Sequence, residues 1–174
     1  MNKLSLIIAF VLIAFISISA QTVERKEIQN REIEWSDFVG AVDESSKFDA
    51  VTNWVTTYSF PQPTFKDGKV FVKVAVKVYI RLDSWVKPNR KTSRLLEHER
   101  GHFKIGKICA KEFKETIDAR AFDRTDYAKQ ISDIYLEIMN KYKEFEKQYD
   151  RETDHFKDLA EQDRWNKKLN DLLN

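Results

Sequence analysis

Hydrophobic and polar residues alternate along residues 70–82, which is the most regular pattern in the chain. One face of this segment carries only aliphatic residues: Val70, Val72, Val74, Val76, Val78, Ile80 and Leu82. A period of two with one apolar face is typical of an antiparallel strand that covers a core on one side. Residues 50–60 are rich in valine, threonine and aromatic residues, so they are also predicted to form a strand. We expect the two strands to pair across the proline-containing loop at residues 61–63.

Shorter signals complete the predicted sheet region. Residues 32–35 alternate and then lead into a polar turn, so a short strand is expected there. Asp67 and Gly68 form a dipeptide that favours a tight turn. Residues 21–30 are polar and charged, which predicts a loosely held N-terminal arm.

The pattern changes after residue 90, where apolar residues recur at steps of three or four. A helix is expected from Thr92 or Ser93 to about Ala119, and a second helix over residues 125–150. The second helix carries one continuous apolar stripe, made of Tyr127, Ile131, Ile134, Tyr135, Ile138, Tyr142, Phe145 and Tyr149.

The C-terminal segment has an inward-facing stripe in a different phase. Its members are His155, Leu159, Gln162, Trp165, Leu169 and Leu172. The change of phase predicts a kink or a new helix start near Asp150, Thr153 and Asp154, which are residue types that often cap helices. The order of elements therefore predicts an α+β fold, in which an N-terminal antiparallel β-sheet precedes the helix at 92–119 and long C-terminal helices.

The first twenty residues have the composition of a secretory signal peptide. Lys3 gives a positive start, residues 4–18 are apolar apart from two serines, and Ala20 is a small residue suited to cleavage. The apolar run is short for a membrane span, and an uncleaved N-terminal anchor is the alternative. We therefore expect an exported protein, periplasmic or secreted, without stable membrane insertion once the signal is removed.

Residues 21–174 have the size of a single domain with a hydrophobic core. Removing the signal, which contains Lys3 and no acidic residue, leaves 29 basic and 28 acidic residues. This near-neutral balance gives no indication of a nucleic-acid partner or of an anionic membrane surface, and nothing indicates a particular oligomeric state. Cys109 is the only cysteine, so an internal disulfide is excluded and Cys109 is most simply a core residue.

Residues 98–102 read His-Glu-x-x-His and contain two of the three histidines in the chain. On a helix, residues four apart lie about 40° apart in azimuth and about 6 Å apart along the axis, so His98 and His102 project from one face. Two imidazoles in this arrangement can bind one metal ion, and Glu99 can reach a water on that ion without being a ligand. The motif therefore predicts a Zn²⁺ site with Glu99 as general base.

Two histidines on a solvated, charged helix face are the simpler alternative. The apolar residues around the motif argue against it, because they predict a largely buried helix: Leu95, Leu96, Phe103, Ile105 and Ile108. Buried neutral imidazoles require polar partners, and a metal ion can supply one. We therefore favour the interpretation as a metal site.

A catalytic zinc site usually has three protein ligands and leaves one position for water. Ile105 and Ile108 stand where the metzincin continuation would have glycine and histidine, so that class is excluded. Four carboxylates that follow the motif are possible ligands: Glu112, Glu115, Asp118 and Asp123. His155 is preferred because it is the remaining histidine and begins the inward-facing stripe; a histidine bonded to backbone at a helix start is the alternative. Glu152 and Asp154 are nearby substitutes as oxygen ligands.

Four short motifs resemble those of a known family. They are Ser84-Trp85, the segment 95–103, Tyr149-Asp150-x-x-Thr153-x-His155 and Gln162-x-x-Trp165. In this order, over about residues 33–173, they make the chain resemble a family of secreted bacterial proteins of unknown function that are described as zinc-dependent proteases. The resemblance implies a zincin-like fold. The family more often has glycine after the last histidine, where this chain has Phe156.

The motif and the resemblance together predict an exported zinc-dependent hydrolase, and a peptidase in particular. His98, His102 and His155 are the expected ligands of one Zn²⁺ ion, and Glu99 is expected to take a proton from the attacking water. The substrate would be a peptide or protein, held in extended form at an exposed sheet edge. The alternatives are an exported zinc-binding or scaffold domain without turnover, and a helical interaction module without metal.

Two further residues have predicted roles beside the motif. Tyr149 could donate a hydrogen bond to an oxyanion, although a core aromatic with a satisfied hydroxyl is the simpler interpretation. Gly101 lacks a side chain, which would allow another segment or a ligand to approach the motif helix closely.

Overall fold

The computed structural model describes residues 24–28 and 30–174, and the predicted signal peptide at residues 1–20 lies outside them. Within the described residues the elements are β1 (Arg25–Glu27), β2 (Ala50–Val51), β3 (Trp54–Ser59), β4 (Thr64–Lys66), β5 (Lys69–Phe71), β6 (Ala75–Arg81), β7 (Trp85–Val86), α1 (Ser93–Asp118), β8 (Ala121–Asp123), α2 (Tyr127–Glu152) and α3 (Leu159–Leu173). Every pair that these strands form is antiparallel. The chain is therefore a mixed α and β protein with antiparallel sheets and three helices.

The predicted pairing of the two main strands is confirmed. β3 lies antiparallel to β6, with Trp54 opposite Ile80 and Ser59 opposite Ala75. β1 pairs with the other edge of β6, which gives a sheet in the order β1-β6-β3. The prediction of a loosely held arm at residues 21–30 is therefore wrong for residues 25–28, because the β-ladder holds Arg25–Glu27 and Ile28 is buried. Ile80 is fully buried, whereas Lys77 on the other face is exposed, as the alternating pattern predicts.

Both long strands predicted from the sequence are broken into two. Residues 50–60 form β2, which pairs with β7, and β3, which pairs with β6. Residues 70–82 form β5, which lies between β4 and β8, and β6. Between them, the Val74 N–H donates to the Asp118 carboxylate at 3.1 Å, so the chain leaves the strand ladder and binds the end of α1. Val72 and Val74 remain buried, which is why the alternation continues across the break.

The prediction of a short strand at residues 32–35 is wrong. A 3-10 helix at Trp35–Asp37 occupies the end of this segment. The Asp37 N–H donates to the Glu34 carbonyl at 2.8 Å, and the Glu34 N–H donates to the Asp37 carboxylate at 2.9 Å. This reciprocal pair uses the backbone groups that a strand would need. Ile33 is fully buried, and it supplies the apolar signal that resembles a strand pattern.

The helices agree closely with the sequence pattern. The hydroxyl of Thr92 accepts the Leu95 N–H at 3.2 Å and stabilises the start of α1. α2 begins and ends two residues later than predicted, and α3 is a separate helix capped by Asp158, so the predicted new start is confirmed. β8 is too short to give a pattern in the sequence. Within the part of the chain that the structure describes, no helix is both long and apolar enough to cross a membrane.

α1 is the central helix, and its glycines allow other elements to approach closely. It packs against α2, α3, β3 and β6. A Cβ atom at Gly106 would lie 2.7 Å from the Trp54 ring, and one at Gly101 would overlap the Tyr149 hydroxyl. The close approach predicted at Gly101 is therefore present, and the approaching segment is α2.

Candidate metal centre

The first half of α1 places the motif residues in the wall of a cavity of about 710 Å³. His98 and Glu99 are buried, and the His102 side chain is 12% exposed. Further parts of the wall come from residues 47–52, from α2 and from the turn that carries His155. The structure therefore brings all four predicted site residues to one cavity.

Both motif histidines are oriented by hydrogen bonds to their outer nitrogens. His98 Nδ1 lies 3.0 Å from Oε1 of Gln162 in α3, and His102 Nδ1 lies 3.2 Å from Oε1 of Glu146 in α2. Because both partners are oxygen acceptors, each Nδ1 donates and each Nε2 is directed to the interior of the cluster. Metal-binding histidines are commonly oriented by outer partners in this way.

Asp150 lies at the centre of the cluster. Its Oδ1 lies 3.0 Å from His102 Nε2, 3.2 Å from His98 Nε2 and 3.5 Å from His155 Nδ1. At these distances the oxygen either accepts hydrogen bonds from the rings or shares a cation with them. In a tetrahedral zinc site with bonds of 2.0–2.1 Å, neighbouring ligand atoms are about 3.4 Å apart. The observed separations are close to that value.

The carboxylates favour positive charge at the centre of this cluster. Burial acts to lower the pKa of His102, but hydrogen bonds to Asp150 and Glu146 outweigh it and hold the pKa well above its usual value of 6.5. Burial acts to raise the pKa of Asp150, but hydrogen bonds from His102 and His98 keep that pKa well below its usual value of 3.8. Protons on the imidazoles or a bound cation can supply the positive charge.

His155 reaches the cluster from a strained turn. Its N–H donates to the Asp150 carbonyl at 3.0 Å, which is the 6→1 bond of a Schellman C-cap at the end of α2. Asp154, His155 and Phe156 have φ values of 44°, 48° and 74°. A left-handed residue other than glycine costs about 1–2 kcal/mol, and such strain often occurs at functional sites. Phe156 thus occupies a conformation that glycine adopts readily.

The donor atoms fit a divalent metal ion. His98, Asp150 and His155 offer ligand atoms that all lie within 4.8 Å of one another. His102 adds a further nitrogen beside Asp150. Imidazole nitrogen and carboxylate oxygen are both suitable ligands for Zn²⁺. The group that the structure brings together therefore contains His98 and His155 of the three predicted ligands, with Asp150 as its third member, and His102 joins it through Asp150.

Glu99 is held beside the imidazoles by the break between β2 and β3. Its Oε2 accepts a hydrogen bond from the Thr52 hydroxyl at 2.6 Å. Both side chains are buried, and both residues line the cavity. A carboxylate with one oxygen fixed in this way has the defined orientation that a general base requires.

Tyr149 supports His98 from within the core. Its hydroxyl donates to the His98 carbonyl at 3.0 Å and accepts from Gln162 Nε2 at 2.7 Å. Its ring stacks on the His98 ring with centroids 4.6 Å apart, and burial raises the pKa of the hydroxyl. Tyr149 is therefore a core aromatic with a satisfied hydroxyl, which is the simpler of its two interpretations.

Residues 17–156 match the family described as "Bacterial protein of unknown function (DUF922)". The chain belongs to this family. The matched segment contains the motif in α1, all of α2 and the turn with His155, and it ends before α3 and Gln162. No curated protein and no solved structure matches the chain.

In this DUF922 protein, the alternative carboxylate ligands lie mostly outside the cavity. Those that do not line it are Glu112, Glu115, Asp118, Asp123 and Glu152. Glu152, for example, accepts the Trp165 indole N–H at 2.8 Å. Asp154 does line the cavity, and it lies 3.9 Å from Lys157. Cys109 is buried in the core, where burial raises its pKa to about 12.

Three residues of the site were not identified from the sequence: Glu146, Asp150 and Thr52. Glu146 and Asp150 are four residues apart on α2, so they share a face, and that face adjoins the apolar stripe. Two carboxylates at the margin of a buried stripe are a signal that could have identified them. Thr52 had no such signal, because its position depends on the break between β2 and β3.

Proposed function

We propose that this DUF922 protein is an exported zinc-dependent hydrolase of zincin-like architecture that acts on peptides. The observation that carries the proposal is that His98 Nε2 and His102 Nε2 both lie within 3.2 Å of Asp150 Oδ1, with Glu99 in the same cavity wall. A purely structural metal site has no need of a glutamate there. The composition of residues 1–20 supports export.

His98, His102 and His155 are the proposed metal ligands. A bound zinc ion would supply positive charge that lowers the pKa of water and polarises a carbonyl group. Gln162 and Glu146 would keep the two motif imidazoles in orientation, because each binds an Nδ1 atom.

Glu99 is the proposed general base. The Thr52 hydroxyl binds one oxygen of its carboxylate, which fixes the direction in which the other oxygen can accept a proton. Glu99 would hold the proton taken from water and transfer it to the leaving amine of the peptide. The buried position keeps the carboxylate away from bulk water, and this strengthens its electrostatic interactions.

The edge of β2 that faces away from β7 supports a peptide as the substrate; Ala50 itself is buried, at 7% exposure, and is reached through the cavity. The Lys87 N–H donates to the Asp49 carbonyl at 2.8 Å, and Ala50 lies opposite Val86. In an antiparallel ladder this makes Ala50 a non-hydrogen-bonded position, so its N–H and C=O point away from β7. Neither group has a hydrogen-bond partner among the described residues, and Ala50 lines the cavity. An extended peptide can pair with this edge beside Glu99.

The variant Glu99→Gln tests the hydrolase. We expect it to keep one zinc ion per chain, measured by elemental mass spectrometry, and to cleave a mixed peptide library roughly 10²–10⁴-fold more slowly than the wild type. Glu115→Gln, on the same helix and outside the cavity, is the matched control and should retain both properties. Wild-type cleavage by Glu99→Gln would exclude this base, and absence of cleavage by the zinc-loaded wild type would exclude the hydrolase.

A zinc site that only stabilises the fold is the second candidate, and Asp150 is the observation that favours it. Together with three histidines, Asp150 would complete four protein ligands, which is typical of structural zinc. Absorption spectra of the Co²⁺-substituted protein distinguish the two candidates. A structural site predicts that Asp150→Asn changes the ligand-field bands and weakens metal binding. A catalytic three-histidine site predicts that the bands and the stoichiometry are kept, whereas His155→Ala loses metal.

A further inference from the structure

Four lysines contribute to the wall of the cavity: Lys47, Lys143, Lys147 and Lys157. All four are exposed residues, whereas His98 and Glu99 are buried in the same wall. Lys143 and Lys147 are four residues apart on α2, so they project from one helix face. The ammonium groups therefore surround the mouth of the cavity rather than its interior.

The cavity also contains acidic residues, but each of these has a partner within the protein. Asp49 pairs with Arg90 at 3.3 Å, and Asp154 lies 3.9 Å from Lys157. The other three are Glu99, Glu146 and Asp150, which bind Thr52, Trp54 with His102, and the histidine cluster respectively. The charges of Glu99, Glu146 and Asp150 are thus committed to the candidate metal centre and its surroundings, whereas Asp154 is 66% exposed and lies beside Lys157.

The four lysines form fewer and more exposed ion pairs than the buried carboxylates of the cavity do. Among the described residues, Lys143 has no ion-pair partner, and Lys47 lies over the ring of its neighbour Phe48. Lys147 binds Glu144 and Lys157 lies near Asp154, and all four of these side chains are at least 64% exposed. Exposed pairs of this kind contribute little and exchange partners readily.

We propose that the lysines at the cavity mouth select peptides rich in aspartate and glutamate. This inference rests on the proposed function only in that it takes the ligand to be an extended peptide at the β2 edge. A cleft mouth with an excess of one sign of charge concentrates ligands of the opposite sign, and here four exposed lysines outnumber the exposed Asp154. The unpaired backbone groups of Ala50 favour a peptide over other polyanions, because a peptide offers both a donor and an acceptor to a strand edge.

Binding to the Glu99→Gln variant tests the selection without any turnover. The probes are two dye-labelled decapeptides that differ only in carrying glutamate or lysine at alternate positions, titrated by fluorescence anisotropy. At low salt the glutamate peptide should bind at least tenfold more tightly, and the difference should shrink several-fold in 0.5 M NaCl, where charges are screened over a few ångströms. Equal affinity of the two peptides would overturn the inference.

A pair of charge-reversal variants provides the control. In the Glu99→Gln background, Lys143→Glu with Lys147→Glu should abolish or reverse the preference. Lys66→Glu with Lys167→Glu makes the same change in net charge at exposed positions outside the cavity, and should preserve it. A preference that is identical in both double variants would contradict the proposal, as would an oligonucleotide of equal charge that displaces the glutamate peptide.

Different experimental outcomes would refute the hydrolase and the selection of acidic peptides. Tight, lysine-dependent binding of the glutamate peptide by a wild-type protein that never cleaves it would refute the hydrolase and support the selection of acidic peptides. Cleavage of both peptides with the same kcat/KM and the same affinity would support the hydrolase and refute the selection.

Discussion

Asp37 and Asp150 are two carboxylates that each contact several nitrogen atoms, but the chemistry of those nitrogens differs. Asp37 is fully buried and accepts hydrogen bonds from Arg31 at 2.7 Å, from Lys26 at 2.8 Å and from the Glu34 N–H. Asp150 instead faces three imidazoles, and its side chain is 31% exposed.

The difference shows what distinguishes a structural carboxylate from a candidate metal ligand. Guanidinium and ammonium groups stay protonated and have no lone pair to give, so the groups around Asp37 cannot bind a cation. An imidazole nitrogen can exchange its proton for a metal ion. The Asp150 cluster can therefore exchange protons for a metal ion, whereas the Asp37 cluster holds residues 26–37 together.

The largest expected difference between the two clusters is the effect of Zn²⁺ on thermal stability. Zn²⁺ at 1,000 times its Kd should stabilise the protein by about 4 kcal/mol and raise Tm by about 10 °C, because only the folded state assembles the site. EDTA should reverse the shift, and His98→Ala should abolish it. Asp37→Asn should lower Tm but preserve the shift. Thermal denaturation followed by circular dichroism measures both, and a zinc-independent Tm would contradict the metal site.

The next largest expected effect is the loss of free energy of unfolding in Asp37→Ala. It leaves Arg31 and Lys26 without their shared acceptor, although their side chains are 38% and 50% exposed and can regain water. We therefore expect a loss of about 2–3 kcal/mol, below the 3–5 kcal/mol typical of fully buried pairs. Urea denaturation at pH 7 measures it. Asp133→Ala, which breaks an exposed pair with Lys129, should leave the midpoint almost unchanged.

Gln162→Leu should weaken metal binding without removing a ligand. Gln162 Oε1 accepts from His98 Nδ1, so its loss frees the imidazole to rotate or to change tautomer. A decrease of about 10–100-fold in zinc affinity is expected, measured by competition with a fluorescent chelator. Glu161→Gln, one position earlier and outside the cavity, is the control. Unchanged affinity in Gln162→Leu would show that Gln162 does not orient His98.

The smallest expected effect is the contribution of Asp37 to the pH dependence of stability. Burial acts to raise the pKa of Asp37, but hydrogen bonds from Arg31 and Lys26 outweigh it and hold the pKa below its usual value of 3.8. A lowered pKa contributes stability that is complete above about pH 4 and is lost as pH falls toward the folded-state value. Urea midpoints from pH 5 to pH 2 should decline less steeply in Asp37→Asn. Parallel curves for variant and wild type would contradict this role.

The sequence predicted the helices well because their signals are local. The Thr92 cap and the apolar spacing of α1 are both contained within the helix, and the structure places its start at Ser93. The phase change before α3 is likewise local, and it marked the turn that carries His155. The pairing of β3 with β6 could be predicted because the alternation at residues 70–82 defines one buried face.

The breaks in the strands could not be predicted, because distant residues cause them. Asp118 at the end of α1 binds the Val74 N–H, and no pattern near Val74 indicates this. The same limit applies to the site. His98, Glu99 and His102 are adjacent on one helix and could be found from their spacing, whereas Asp150 joins them only after α2 packs against α1.

Trp54 connects the candidate metal centre to an optical signal. Its indole N–H donates to Glu146 Oε1 at 2.6 Å, and the same oxygen lies 3.2 Å from His102 Nδ1. Its ring packs against α1 at Gly106, so it has little freedom to move away. Indole emission responds to charge and hydrogen bonding at the ring, and a cation arriving at His102 acts on Trp54 through one shared carboxylate. The chain therefore contains its own fluorescent reporter of the centre, and Trp54→Phe separates its signal from those of the other three tryptophans.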